Sequence, residues 1–208
     1  MEPALRDEPP ATLASRSSLI LRAANLLPLA GAVFWGWELS MIMLLYWAES
    51  AVIGFFNLLK MIVVNKRESL VTGPFFIVHF GGFMAVHFMF IYSFFIEGPA
   101  TDSATPESLC EVTSLFLAIW PALLALFVSH GYSFFHNFLG RQEYVGRTIK
   151  KQMSEPYSRI IFMHLVIIFG GGLSMMLGDS TIVLMGVIVV KTIVDLRAHL
   201  KQHQAGDG

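Results

Sequence analysis

Six apolar stretches follow one another along this chain, each close to the roughly twenty residues a helix needs to cross a ~30 Å hydrocarbon core, with short polar connections between them. Inside a bilayer no water is present to satisfy backbone N–H and C=O groups. A segment of this kind must therefore close its own hydrogen bonds, which means folding as a helix. The predicted spans cover residues 19–37, 39–64, 74–96, 112–138, 157–177 and 181–196, with polar tails at 1–18 and 200–208. Composition agrees: 55% of the 208 residues are hydrophobic and only 14% charged, more apolar surface than a soluble domain of this size buries. The expected fold is an all-α, polytopic membrane bundle with no internal repeat.

Local signals refine the boundaries. Arg16 and Arg22 before a short apolar run, with small residues at Ala30–Ala32, resemble a secretory signal. The aromatic end Phe34–Trp37 and the immediate onset of the next span argue for retention instead. Gly73-Pro74 predicts the start of the third span, because proline is pre-organised for a first helical turn. Residues 97–111, rich in Pro, Ser, Thr and acid, read as an exposed loop, and Pro121 predicts a kink in the fourth span. Residues 140–158 read as a polar loop whose part from Arg141 to Lys151 suits an interfacial helix on anionic lipid. The glycine runs at Gly81-Gly82 and Gly170–Gly172 are expected where helices pack closely.

Charge sets the orientation. Lys and Arg are retained on the cytoplasmic side during insertion, and in the six-span arrangement all 14 of them fall on one side. The opposite connections carry only acids, among them Glu38, Glu97, Asp102, Glu107, Glu111 and Asp179. Both termini are thus expected in the cytoplasm. A net charge of −1 gives no basic field for nucleic acid. Cys110 is the sole cysteine and excludes an intrachain disulfide.

Polar residues inside the spans are costly in lipid and must face partners. On the second span Tyr46, Glu49, Ser50, Asn57 and Lys60 share one face, and on the fourth His130, Ser133 and Asn137 do. Lys191, Asp195 and His199 form a stripe on the sixth. Counted from the predicted ends at ~1.5 Å per residue, His79, His130, His164 and Asp195 lie at similar depth in the cytoplasmic half, while His87 sits deeper, near Glu49 or alone.

The blocks YWAESAVIGFFNLLKM, PFFIVHFGGFMAVHFMFI, SHGYSFFHNFLGRQEY, EPYSRIIFMHLVIIFGGG and KTIVDLRAH, in this order, resemble a bacterial membrane family catalogued as domain of unknown function 6498. The resemblance implies a small multi-span prokaryotic membrane protein and carries no activity with it. Glu49, His79, His87, His130, Asn137, Tyr157, Arg159, His164, Lys191, Asp195 and His199 all lie inside the matching blocks.

Three functional classes fit the residues. His79, His130, His164 and Asp195 form a ligand set suited to zinc, iron or copper, and an open fourth position would allow metal-activated water to attack a substrate. Haem is less favoured, since the histidines do not pair at regular spacing. A proton relay through Glu49, His87, Lys191 and Asp195 would serve a proton-coupled transporter, although the inverted repeats usual in such proteins are lacking. The third class is an accessory or structural subunit, in a homo-oligomer or a larger membrane complex, whose polar groups only join helices. Gly131-Tyr132-Ser133 resembles an intramembrane serine-protease motif of the rhomboid type but departs from it at Phe134, leaving Ser133 as a small packing residue.

Overall fold

The computed structural model describes residues 34–96 and 106–177 together with positions 31 and 186. Almost all of the sixth span, both tails, most of the first span, and Lys191, Asp195 and His199 lie outside the described residues. Within them every regular element is helical: α1 (Leu39–Val64), α2 (Lys66–Ile91), α3 (Pro106–Tyr132), α4 (Ile149–Ser154) and α5 (Tyr157–Leu177). α2 and α3 each continue into a wider π-helical turn, Tyr92–Ile96 and Ser133–Leu139. Four segments are long and apolar enough to cross a membrane: Leu39–Val64, Lys66–Ile96, Cys110–Leu139 and Ile149–Leu173.

Capping chemistry moves several boundaries from where apolarity alone puts them. α2 begins at Lys66, not Pro74, because Asn65 ends α1 in an extended conformation and turns its Oδ1 onto the N–H groups of Arg67 and Glu68 at 3.1 and 3.2 Å. Pro74 therefore sits inside the helix, where it removes one backbone hydrogen bond. Ser69 Oγ donates at 2.7 Å to both Met61 O and Asn65 O, tying the α1–α2 elbow across its single non-helical residue. Likewise α3 starts at Pro106, within the stretch expected to be loop, with proline at the first helical position. The connection 140–156 is also not wholly irregular: it carries α4, entered through Gly146 at φ +76° and capped by Thr148. α4 overlaps the expected interfacial segment only at Ile149–Lys151 and runs on to Ser154.

α1 is the central helix. In its most apolar window 67% of residues are buried, against 28%, 28% and 39% for the other three spans. Toward α2 and α5 it buries Met43, Tyr46 and Met61 among Phe76, Phe80, Met84, Met163 and Ile167. Toward α3 it buries Leu44 and Leu45 on Leu115, Ile119 and Leu126, and lower down Phe56 meets Phe134 and Phe138. Neighbouring helices come close at Gly54 of α1, where a Cβ would collide with the Phe80 ring of α2. At Gly81 and Gly82, expected at such a contact, an added Cβ would meet nothing within 4 Å, so that expectation is corrected; in the second run it would meet the Phe94 ring at 3.3 Å from Gly171 but nothing at Gly172. The connections put the C-terminal end of α1, the start of α2, the end of the Ser133–Leu139 turn and α4 at the same end of the bundle. This is the basic end, with Lys60, Lys66, Arg67, Arg141, Arg147, Lys150 and Lys151.

Candidate functional site: a charged column and a histidine seam

The polar stripe of α1 faces inward as its spacing predicts: Tyr46, Glu49, Ser50 and Asn57 are 4%, 2%, 1% and 3% exposed. Glu49 is the residue that the apolar surroundings tolerate least. An ionised carboxylate in such a place needs a countercharge. Arg159, one turn into α5, provides it: Nη2 lies 2.8 Å from Glu49 Oε2, and the guanidinium stands 5.5 Å from the Tyr46 ring centroid. His130 of α3 lies within the electrostatic reach of Glu49, Arg159 and Lys60, and its Nε2 is buried without a hydrogen-bond partner.

Nearer the basic end the column becomes a hydrogen-bond network. Gln152, fully buried on α4, donates from Nε2 to Asn57 Oδ1 (2.8 Å) and to Glu155 Oε2 (2.7 Å) and accepts at Oε1 from Arg147 Nη1 (3.1 Å). Arg147 closes the ring on Glu155 Oε1 at 2.5 Å. Asn57 spends its own Nδ2 on Met61 Sδ at 3.8 Å. The network joins α4 to the C-terminal third of α1, so a six-residue helix too short to be stable alone is held by side-chain amides. Lys60 Nζ and the Arg147 guanidinium both stand over the Phe138 ring, 5.2 and 5.6 Å from its centroid.

A second polar system lies between α2 and α5, which run parallel. Two rungs join them: Tyr157 OH to His79 Nδ1 at 2.7 Å and, two turns further, His164 Nδ1 to His87 Nε2 at 3.2 Å. The second rung has a fixed direction. His87 Nδ1 lies 2.6 Å from Phe83 O, and a carbonyl only accepts, so Nδ1 carries the proton. Neutral His87 then offers Nε2 as an acceptor, His164 donates from Nδ1, and His164 Nε2 is left with a lone pair. His87 is buried, whereas His79 and His164 are exposed. The rings of Phe75 and Phe83 flank His79 at 5.2 and 5.1 Å.

Each histidine of the expected metal set thus has a different setting: His79 on Tyr157, His164 on His87, His130 beside the Glu49–Arg159 pair. Among the described residues no three His, Cys, Asp or Glu come together as a metal-holding group, and Asp195 lies outside them. His87 is not alone, one of the two settings its depth suggested; its partner is His164. Asn137 donates to Ser133 Oγ at 3.5 Å, and its Oδ1 is buried without a partner. Sequence reasoning assigned no role to Arg159, Gln152, Arg147 or Glu155. The signal for Arg159 was present: a lone acid in the middle of one span calls for a cation in another, and Arg159 lies within one turn of an apolar helix start.

No curated protein and no solved structure matches the chain. A family model does, over residues 7–208, a range that takes in both the column and the seam. The chain belongs to the family of unknown function DUF6498.

Proposed function

We propose that the protein is a six-span bacterial inner-membrane protein, with both termini in the cytoplasm, that moves protons together with a solute by way of the Glu49–Arg159 column. The observation that carries this reading is a carboxylate 2% exposed on the central helix, with its countercharge on a different helix. Apolar side chains pack helices at lower cost than a buried ion pair, and intramembrane charges commonly mark ion and proton pathways. His130 supports the reading by having a buried ring nitrogen with no bond to keep it occupied. A proton held at His130 Nε2 and passed to Glu49 would cancel the carboxylate charge and release the Arg159 guanidinium. α1 and α5 would then lose the attraction joining them at that level, which is what a two-state carrier requires.

The test is proton flux in proteoliposomes containing a trapped pH dye. Wild-type protein should carry flux, Glu49→Gln should reduce it at least tenfold, and Glu49→Asp should retain part of it. Undiminished flux in Glu49→Gln, or none in wild type, would reject the carrier. In the second case, stable co-purification with a larger complex would identify an accessory subunit.

A further inference from the structure

We infer that Lys60 and Arg147, brought together on the Phe138 ring, form a binding site for an oxyanion, a carboxylate or phosphate group, at the basic end of the α1 column. Lys60 is half-buried on the central helix, and among the described residues no carboxylate lies within ion-pair distance of it. Glu155 acts on it through space but is committed elsewhere, Oε1 to Arg147 and Oε2 to Gln152. Glu143 also acts on it from a distance, and its residue is exposed. Among the described residues the ammonium group is therefore held by a ring face alone, a weak substitute for an anion in a half-buried place.

Arg147 completes the site. Its Nε donates to Glu143 O and its Nη1 to Gln152 and Glu155, which fixes the guanidinium plane and leaves Nη2 without a partner among the described residues. A fixed guanidinium and an ammonium over the same ring, close enough for one charge to act on the other, supply the donors that recognise planar or tetrahedral oxyanions. The surrounding field agrees: Lys60 together with residues 141–155 carries five cations (Lys60, Arg141, Arg147, Lys150, Lys151) against two carboxylates (Glu143, Glu155). The anion belongs either to a soluble molecule or to a lipid headgroup. As the solute class of a proton-linked carrier, the inference rests on the function proposed above. As a binding site it is tested without flux.

The experiment measures the thermal stability of the full-length protein in neutral detergent, titrated with millimolar inorganic phosphate or with phosphatidylglycerol, at constant ionic strength. Wild type should show a saturable rise in melting temperature. Lys60→Gln should weaken the apparent affinity at least tenfold, and Lys60→Arg should restore it. Arg147→Lys, which keeps the charge but loses the planar edge, should fall between them. A Lys60-dependent response to phosphate identifies a soluble oxyanion, and one to phosphatidylglycerol alone identifies a headgroup. The same response in wild type and Lys60→Gln to both probes, or none, overturns the site. Glu49→Gln separates the two proposals, since it should stop flux while leaving the Lys60-dependent response intact. If flux is lost in Glu49→Gln but no such response exists, the oxyanion site falls and the carrier stands.

Discussion

α1 and α2 are neighbours of equal length, 26 residues each, and both are apolar enough to span a bilayer, yet among the described helices one is the centre and the other lies at the edge. The difference is in their polar groups. α1 carries Glu49 and Lys60 within its span, and charges of that kind have to be surrounded, so α2, α3 and α4 pack on it, while α5, which packs more on α2, reaches it with Arg159. α2 carries its charges only in its first turn and within its span has His79 and His87, neutral groups that hydrogen bonds suffice to hold: His87 bonds Phe83 O and His164, and His79 bonds Tyr157. Apolarity determines that a segment enters the membrane. Which helix becomes the axis is determined by the charge it cannot leave facing lipid.

This contrast can be broken most forcefully at Arg159. Arg159→Met leaves Glu49 without its countercharge and should cost about 3–5 kcal/mol, read as loss of cooperative unfolding or a large drop in melting temperature in detergent. Adding Glu49→Met should recover most of that loss, because two apolar side chains then fill the same space. An unaffected single variant would mean that the column is not what centres α1.

A smaller effect is expected at the glycines. Gly54→Val should cost about 1–3 kcal/mol by forcing Phe80 off α1, whereas Gly82→Ala meets open space and should be neutral or stabilising by up to ~1 kcal/mol through helix propensity. Equal effects at both positions would contradict the packing of α2 on α1. The smallest change is predicted at the seam: His164→Phe keeps the shape and removes one interhelical hydrogen bond, worth about 0.6 kcal/mol in a membrane. A loss several times larger in the same thermal assay would show that the seam carries load comparable to the column.

Much of α1 was legible from its sequence. The stripe Tyr46, Glu49, Asn57 and Lys60 follows helical spacing, and a stripe of that kind on an apolar span has only the interior to face. The seam was not legible, for two physical reasons. The first is an error of origin: taking Pro74 rather than Lys66 as the start of α2 misplaces His79 and His87 by eight residues, about 12 Å along the axis. The signal that corrects it, Asn65 followed three residues later by Glu68, is a helix-start pattern that a hydropathy reading passes over. The second is that depth gives no azimuth. His79, His130 and His164 can be ranked along the membrane normal from their numbers, but which of them face one another depends on how α2, α3 and α5 are arranged around α1. Likewise nothing local to Gln152 announces that it will bond Asn57, 95 positions away.

The distance along the chain between the two members of the central ion pair also has a consequence in time. Glu49 and Arg159 are 110 residues apart, so during synthesis the acid reaches the membrane on the order of ten seconds before the base that neutralises it has been made. For that interval the α1–α2 hairpin, joined through Asn65 alone, has to keep its carboxyl protonated or near the headgroups. The ion pair is thus completed only when α5 arrives, and the last of the described spans to be translated is the one that lets the first settle.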